Sequence, residues 1–194
     1  MLDLDETLVH SQFKPVGDPD IVITINISNL PDQVMNQKVF VCKRPFCDEF
    51  LKAVAPHYEI VMFTASLSRY AEPIFKRLDP KGKLIDHCLY RQHCILHPHK
   101  RDIFVKDLTM LGRPIEDIII VDNSPNCYLH QPQNAMPCIS WYDNVKDDEL
   151  QRFIPIFEKL AKIEGDVRRI LRKITPRHPG NCVNTFKANQ RLDR

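Results

Sequence analysis

The chain has 194 residues, of which 43% are hydrophobic and 27% are charged, and this is enough for one domain with a sizeable core but too little for a second full domain. The net charge of +2 is too small to indicate direct binding of nucleic acid. The charge is uneven, because residues 166–194 hold eight basic and two acidic side chains, whereas residues 1–165 hold 19 basic and 23 acidic ones. No apolar run approaches the length of about 18 residues that a membrane span needs, so no membrane segment is predicted.

The seven cysteines are an odd number, they include no CxxC pair, and no secretory signal precedes them. Reduced and mostly buried thiols in a nuclear or cytoplasmic protein are therefore predicted. The composition gives no prediction of the oligomeric state.

The chain opens on Leu2-Asp3-Leu4-Asp5-Glu6-Thr7, in which two aspartates alternate with leucines. This pattern is typical of a buried strand that ends in a loop, and ligands of open α/β sheets bind at the carboxyl ends of strands. An acid pair there can supply a nucleophile, a general acid or base, and ligands for a hard divalent cation. The alternative is that Asp, Glu or Thr caps a helix. Few apolar residues precede the first aspartate, so either the first strand is unusually short or sequence upstream of it is missing.

Residues 11–20 have the proline and glycine content of a loop. Residues 21–27 are largely β-branched and residues 37–42 alternate in polarity, so these two segments are predicted to pair as a hairpin insertion. Their connection, 28–36, is longer than a tight turn and is expected to be mobile. Lys43-Arg44-Pro45 ends the second strand.

The next predicted elements are a helix over 46–54, a central strand over 59–63 and a helix over 67–78. Thr64 and Ser66 lie between this strand and the helix that follows it. A hydroxyl at that position is well placed to bind an oxyanion. The alternative is that Thr64 or Ser66 is only the N-cap of the helix.

Residues 87–99 contain two His-Cys pairs and two further histidines, a composition that suggests a zinc site. Neighbouring residues on a strand point to opposite faces, however, so a His-Cys dipeptide cannot easily chelate as a unit. The spacing therefore favours short antiparallel strands with buried thiols over a zinc site.

Lys106 follows a small apolar run, Ile103-Phe104-Val105. An ordinary surface lysine is one interpretation, and a counter-charge for carboxylates or phosphate is the other. Residues 118–121 form the clearest strand of the chain and are followed by Asp122 and Asn123. Polar clusters thus follow three separate predicted strands, and this shared pattern is harder to produce by chance than any single motif.

The rest of the chain is predicted to contain a short strand over 137–139, an amphipathic helix over 147–164 and a further helix over 167–174. Residues 175–194 turn polar and basic and are predicted to be a mobile tail. The predicted domain is therefore 1–174.

Five segments occur in an order that resembles the small C-terminal-domain phosphatases and their Dullard-like relatives in the haloacid dehalogenase superfamily. The segments are Asp3-Leu4-Asp5-Glu6-Thr7-Leu8-Val9-His10, Lys43-Arg44-Pro45, Phe63-Thr64-Ala65-Ser66, Val105-Lys106-Asp107-Leu108 and Val121-Asp122-Asn123-Ser124-Pro125. The resemblance implies an α/β fold, with a Rossmann-like core around a parallel central sheet and a small three-stranded insertion built on the hairpin. It also implies a magnesium-dependent phosphatase that acts on phosphoserine or phosphothreonine in proteins, in the nucleus rather than the cytoplasm.

The resemblance also implies the role of individual residues. Asp3 would be the nucleophile that forms an aspartyl-phosphate, and Asp5 the general acid that then becomes the base for hydrolysis. Thr64 and Lys106 would bind the phosphoryl group, and Arg91 resembles a residue that lies near the phosphate.

Magnesium would be held by a carboxylate oxygen of Asp3, the backbone carbonyl of Asp5 and the side chain of Asn123, with Asp122 alongside or bound through water. Phe13 and Tyr70 match positions of an aromatic pocket beside the insertion that accepts a proline near the phosphoserine, as in the repeats of the RNA polymerase II tail. Simple packing is the alternative for these two aromatic residues.

Two segments depart from the family pattern, because residues 28–36 and residues 97–102 are both extended. Both flank the expected site, so the substrate specificity could differ from that of better-known members. A catalytically weak scaffold protein and a small-molecule phosphatase on the same fold are the alternatives to a protein phosphatase. The intact pair of Asp3 and Asp5 argues against the scaffold, and an insertion without a large helical cap favours a macromolecular substrate.

Overall fold

A computed structural model describes residues 1–27 and 35–174. Most of the connection that is expected to be mobile, 28–36, lies outside the described residues, as does the whole of the predicted tail, 175–194. Within residues 1–27 and 35–174, no helix combines the length and apolar character needed to cross a membrane.

The described residues form nine strands and four α-helices. The strands are β1 (Val9–Gln12), β2 (Ile21–Asn26), β3 (Asn36–Lys43), β4 (Val61–Phe63), β5 (His87–Leu89), β6 (Ile95–Leu96), β7 (Phe104–Val105), β8 (Ile120–Asp122) and β9 (Ala135–Pro137). The helices are α1 (Cys47–Val54), α2 (Ser68–Leu78), α3 (Glu149–Leu160) and α4 (Val167–Ile174). Short 3-10 helices lie at Arg91–His93, Leu108–Leu111, Ile115–Asp117 and Pro132–Asn134.

The central sheet is parallel, and Leu2 lies at its middle. Leu2 forms parallel bridges to Met62 of β4 on one side and to Val121 of β8 on the other. Beyond them, β4 pairs with β5 and β8 pairs with β9, also in parallel. The order across the sheet is therefore β5, β4, Leu2, β8, β9. The expected α/β fold with a parallel central sheet is confirmed.

The insertion is a three-stranded antiparallel sheet in the order β1, β3, β2. The predicted hairpin of β2 and β3 is present, and its third strand takes Ser11 and Gln12 from the segment predicted to be a loop. In β2 the side chains of Ile21, Ile23 and Ile25 are buried while those between them are exposed, because successive side chains of a strand point to opposite faces.

Helices α1 and α3 cover the core together, with Phe50 and Tyr58 each packing edge-on against the ring of Phe157. Helix α3 is shorter than the predicted 147–164. The Asp147 carboxylate accepts a hydrogen bond from the Glu149 backbone and therefore precedes the helix rather than belonging to it.

Three details of the prediction are wrong. Strand β5 joins the parallel sheet instead of forming an antiparallel pair, although β6 and β7 do pair antiparallel. The strand expected over 137–139 lies two residues earlier, at Ala135–Pro137. Of the six described cysteines, all are free thiols, but only Cys47 and Cys138 are buried.

Candidate active site

The polar clusters that follow three strands meet at one edge of the central sheet. Hydrogen bonds from the Phe63 amide to the Leu2 carbonyl and from the Asp3 amide to the Val121 carbonyl hold these strands in register. Since the strands are parallel, Asp3, Thr64 and Asp122 emerge together. They line an open cleft of about 640 Å³.

Lys106 lies at the centre of this cluster and is fully buried. Its Nζ donates to Asp3 Oδ1 at 2.6 Å and to Asp122 Oδ2 at 2.7 Å. Burial lowers the pKa of Lys106, but the attraction of Asp122 and Asp3 outweighs this and the net shift is upward. The interpretation of Lys106 as an ordinary surface lysine is therefore wrong, and the side chain is a permanent positive charge between two carboxylates.

Asp122 is fully buried, and this burial raises its pKa to about 7, with Lys106 opposing the shift and the charge of Asp3 adding to it. Two carboxylates thus share one ammonium group. When both are ionised the cluster carries a net negative charge, which favours the binding of a further cation.

Thr7 brings two potential metal ligands together. Its Oγ1 lies 2.9 Å from Asp3 Oδ2 and 3.3 Å from Asn123 Oδ1, and its single proton is donated to one of them. The Asn123 amide nitrogen donates to Ser140 Oγ at 2.9 Å, which leaves the amide oxygen facing the Thr7 hydroxyl. The sequence reasoning did not assign a role to Thr7 or Ser140.

This donor set fits magnesium. Asp3, Asn123 and Asp122 offer only oxygen atoms, the ligand type that Mg²⁺ prefers, and the net charge of the cluster is of the right sign. By contrast, the described part of the chain contains no group of three His, Cys, Asp or Glu side chains that could hold a metal ion.

Asp5 lies beside this cluster and accepts hydrogen bonds from three hydroxyl groups. Tyr70 Oη donates to Oδ1 at 2.5 Å, while Ser66 Oγ and Thr64 Oγ1 lie 2.7 and 3.3 Å from Oδ2. Burial raises the pKa of Asp5 and the nearby charge of Asp3 adds to the rise, although the hydroxyl groups oppose it. A carboxyl group that retains its proton more readily than usual is suited to general acid catalysis.

Neither helix-cap alternative applies. The residues after Asp5 form a turn in which Glu6 has a positive φ of 58°, and no helix begins there. Helix α2 has Leu67 as its N-cap, without a side-chain hydrogen bond. Thr64 instead accepts a hydrogen bond from the Ser66 backbone at 3.0 Å, which fixes its hydroxyl next to Asp5.

Phe13 and Tyr70 both line the cleft, but in different ways. Phe13 is 64% exposed, and Ile25, Ile27 and Leu67 are further apolar residues that line the cleft. The Tyr70 hydroxyl lies between Asp5 and Ser11, at 2.6 Å from Ser11 Oγ. Tyr70 therefore lines the cleft and also contacts the Asp5 carboxylate.

Arg91 also lines the cleft. Its Nε donates to the Ala65 carbonyl at 2.6 Å, and its guanidinium lies 4.8 Å from the centre of the Phe104 ring. These contacts hold the side chain along the rim of the cleft.

Comparison with known proteins matches residues 1–168 to the family model described as NLI interacting factor-like phosphatase. The chain belongs to this family. The match spans every segment that forms the cleft, from Asp3 to Ser140.

Curated relatives within the phosphatase family include a probable C-terminal domain small phosphatase of Dictyostelium discoideum, 49% identical over 88% of this chain and 53% of that protein. The human carboxy-terminal domain RNA polymerase II polypeptide A small phosphatase 1 is 45% identical over 91% of this chain and 64% of its own length. The chain thus spans roughly half to two thirds of these relatives.

Among solved structures, Fcp1, described as an essential RNA polymerase II CTD phosphatase, matches with a TM-score of 0.59 at 20% identity, over 84% of this chain and 53% of that one. Fission yeast Fcp1-R271A bound to beryllium fluoride matches with a TM-score of 0.58 at 18% identity, over 89% and 52% of the two chains. At these identities the likeness concerns the fold alone.

Arg44 has a structural role that its sequence context, at the end of a strand, did not indicate. It is buried and donates to Asp147 at 2.7 and 2.9 Å and to Glu149 at 2.7 Å. It also donates to the carbonyls of Thr7 and Ile139. The start of α3 is thereby tied to the loop that carries Asp5.

Proposed function

We propose that this chain is a magnesium-dependent protein phosphatase that hydrolyses phosphoserine or phosphothreonine through an aspartyl-phosphate on Asp3. The observation that carries the proposal is the buried contact of Lys106 with both Asp3 and Asp122, beside an Asp5 held by hydroxyl groups. This arrangement supplies a nucleophile, a fixed positive charge and a separate proton donor in one cleft.

In the first step Asp3 attacks the phosphorus, so a bond from its carboxylate oxygen forms as the bond to the seryl oxygen breaks. Lys106 stabilises the negative charge of the transferring group. Asp5 gives its proton to the departing seryl oxygen. The raised pKa of Asp5 keeps that proton available.

In the second step Asp5, now a carboxylate, takes a proton from a water molecule that attacks the phosphorus. The bond between phosphorus and Asp3 breaks, phosphate leaves, and both aspartates return to their starting state. One proton shuttle therefore serves both displacements. When bound by Asp3, Asn123 and the Asp5 carbonyl, with Asp122 alongside, magnesium supplies further positive charge for the phosphoryl oxygens.

Thr64 would orient the phosphoryl group, because its hydroxyl is fixed at the end of β4 beside Asp5. Arg91, held against Phe104 at the rim, would approach the same group from the solvent side. Phosphate monoester hydrolysis in water is slow enough that enzymes accelerate it by up to about 10²¹-fold, so several such contributions are needed.

The substrate is proposed to be a phosphoserine followed by proline, as in the C-terminal repeats of RNA polymerase II that the human relative's name refers to. Phe13, Ile27 and Leu67 form an exposed apolar side next to the polar centre of the cleft, and a proline ring would cover it. The open cleft favours a protein segment over a small molecule. A nuclear location, rather than a cytoplasmic one, would suit this substrate.

The test is hydrolysis of p-nitrophenyl phosphate and of a phosphoserine-proline peptide, with magnesium and with EDTA, by the wild type and by Asp3→Asn. We expect magnesium-dependent turnover that Asp3→Asn abolishes. Turnover that survives in EDTA or in the variant would overturn the mechanism. A wild type that binds the phosphopeptide without hydrolysing it would instead identify a scaffold protein.

A further inference from the structure

An apolar loop lies beside the cleft and is not used by the proposed reaction. It comprises residues 139–145, in the connection from β9 to α3. Three large apolar side chains of this loop are exposed, Ile139 by 64%, Tyr142 by 55% and Val145 by 84%. Single exposed apolar residues are ordinary on a protein surface, whereas a group of them in one ordered segment is typical of a binding surface.

The backbone of the apolar loop is fixed although the loop exposes these side chains. The Ile139 amide donates to the Glu149 carboxylate at 2.9 Å. Trp141 is buried and anchors the middle of the loop, because its amide donates to the Glu6 carbonyl at 2.8 Å and its indole nitrogen to the Asn144 carbonyl at 2.9 Å. A surface that is held in place before it binds loses little conformational entropy on binding.

Two contacts connect the apolar loop to residues that line the cleft. Asn123 lines the cleft, and its amide nitrogen donates to Ser140 Oγ at 2.9 Å. The Tyr142 ring packs edge-on against the His10 ring, with 5.2 Å between the ring centres. His10 Nδ1 in turn lies 3.1 Å from the carboxylate of Glu6, which also lines the cleft. Tyr142 is therefore one side chain, that of His10, away from the cleft lining.

The order of the central sheet places the apolar loop across the cleft from Leu67. Leu67 lines the cleft and follows β4, whereas the apolar loop follows β9. Asp3 lies between them, because Leu2 separates β4 from β8 and β9 lies beyond β8. A peptide whose phosphoserine reaches Asp3 can therefore extend toward Leu67 on one side and toward Tyr142 on the other.

We propose that the apolar loop binds an aliphatic or aromatic side chain of the substrate peptide, with Tyr142 as the specificity-determining residue. This rests on the proposed function and narrows its substrate class to phosphoserine segments that have an apolar residue within a few positions of the phosphoserine, on the β9 side of the cleft. The Tyr142 ring offers an apolar face to that side chain. Covering apolar surface stabilises a complex roughly in proportion to the area removed from water.

The experiment compares three peptides with the same phosphoserine-proline centre. One has alanines at the flanking positions, one has leucines two and three residues before the phosphoserine, and one has leucines two and three residues after it. The wild type, Tyr142→Ser, Tyr142→Phe and the control Met110→Ser are assayed for phosphate release, and melting curves verify that all four proteins are folded. Met110 is also an exposed apolar residue, but it does not line the cleft.

For the wild type and Met110→Ser, we expect kcat/KM for one leucine peptide to be about three- to tenfold higher than for the alanine peptide, as for covering part of one side chain. This ratio should approach one in Tyr142→Ser and persist in Tyr142→Phe, which keeps the ring. The ratio for the other leucine peptide should be the same in all four proteins.

Four results would overturn the proposal. They are wild-type ratios near one for both leucine peptides, ratios that Tyr142→Ser leaves unchanged, an equal loss for both leucine peptides, and a loss in Tyr142→Phe as large as that in Tyr142→Ser. Light scattering at the assay concentration adds a further test. A wild-type dimer that Tyr142→Ser dissociates would assign the apolar loop to a second copy of the chain and also overturn the proposal.

If the wild type hydrolyses none of the peptides, the proposed function fails. The apolar loop is then judged by fluorescence anisotropy with the same peptides. Tighter binding of one leucine peptide to the wild type, lost in Tyr142→Ser and kept in Tyr142→Phe, supports the role of the loop. Equal binding of all three peptides overturns it.

Discussion

At the scale of single residues, the Thr7 hydroxyl contacts two of the proposed magnesium ligands. Thr7 Oγ1 contacts oxygen atoms of both Asp3 and Asn123, although these residues are far apart in the sequence. Removing that hydroxyl leaves the shape of the side chain but takes away one hydrogen-bond partner from the Asp3 and Asn123 oxygens, which Lys106 and Ser140 would still contact.

Thr7→Val should therefore weaken the apparent affinity for magnesium about 10- to 100-fold, as does the loss of other groups that orient metal ligands. The measurement is the magnesium dependence of p-nitrophenyl phosphate hydrolysis, with isothermal titration calorimetry as a check. Thr24→Val, which changes an exposed threonine of β2, is the matched control. The same magnesium dependence in both variants would contradict this role.

Tyr70 affects the proton on Asp5. Its hydrogen bond to the Asp5 carboxylate lowers the pKa of Asp5 against the larger effect of burial, so Tyr70→Phe should raise that pKa further. The protonated acid then persists to higher pH, and the alkaline limb of the pH profile for phosphoserine peptide cleavage should move upward. Tyr58→Phe is the control, because the Tyr58 hydroxyl donates to the Phe157 carbonyl, away from the cleft. An alkaline limb that stays in place, or moves downward, in Tyr70→Phe would argue against this assignment.

At the scale of secondary-structure elements, Arg44 joins the start of α3 to the loop that follows Asp5. The guanidinium is buried and its hydrogen bonds reach two carboxylates and two carbonyls. Loss of one partner of such a buried pair leaves uncompensated charge.

Arg44→Ala should lower the free energy of unfolding by about 3–5 kcal/mol, measured by urea denaturation at neutral pH. Arg152→Ala, which removes an exposed pair with Asp148 near the same helix end, should cost less than about 1 kcal/mol. Similar losses for the two variants would mean that the Arg44 network is no stronger than a surface pair.

The hydrogen bonds of Arg44 also make the stability of the protein depend on pH in the acidic range. Burial raises the pKa of Asp147, but the hydrogen bond and charge of Arg44 outweigh it and hold that pKa below its ordinary value of 3.8. The stabilisation is thus complete above that ordinary value and is lost as the pH falls below it. Arg44→Ala should therefore lose less stability than the wild type between neutral and acidic pH.

The element boundaries show what local sequence can predict. The helix over 67–78 differs from α2 by one residue, because its apolar spacing and polar flanks are local features. The pairing of β5 could not be predicted in this way, since the parallel alignment of His87 with Val61 depends on the chain crossing over through α2.

The candidate site likewise contains residues that local sequence could predict and residues that it could not. The placement of Asp3 and Asp5 at the cleft was predictable because they stand together in one motif at the end of a strand, whereas their catalytic roles remain a proposal. The roles of Thr7 and Arg44 were not, because their partners Asn123 and Glu149 lie 116 and 105 residues away and become neighbours only in the folded chain. The contact of Ser140 with Asn123 could not be predicted either, because nothing in the sequence distinguishes Ser140 from other loop serines.

At the scale of the whole molecule, the parallel sheet brings the proposed nucleophile Asp3, the proposed proton donor Asp5 and the buried Lys106 together at one edge. All of this serves catalysis only if Asp3 accepts the phosphoryl group. The contact of Lys106 with Asp3 at 2.6 Å is the feature on which that claim depends most.

The central claim is tested by stopping the reaction of a phosphoserine-proline peptide within its first turnovers and reducing the protein with borohydride, which converts an aspartyl-phosphate to homoserine. Mass spectrometry then locates the modified residue. The account predicts homoserine at position 3 in the wild type with magnesium, and none with EDTA or in Asp3→Asn. Active enzyme that is modified at another residue, or not modified at all, would contradict it.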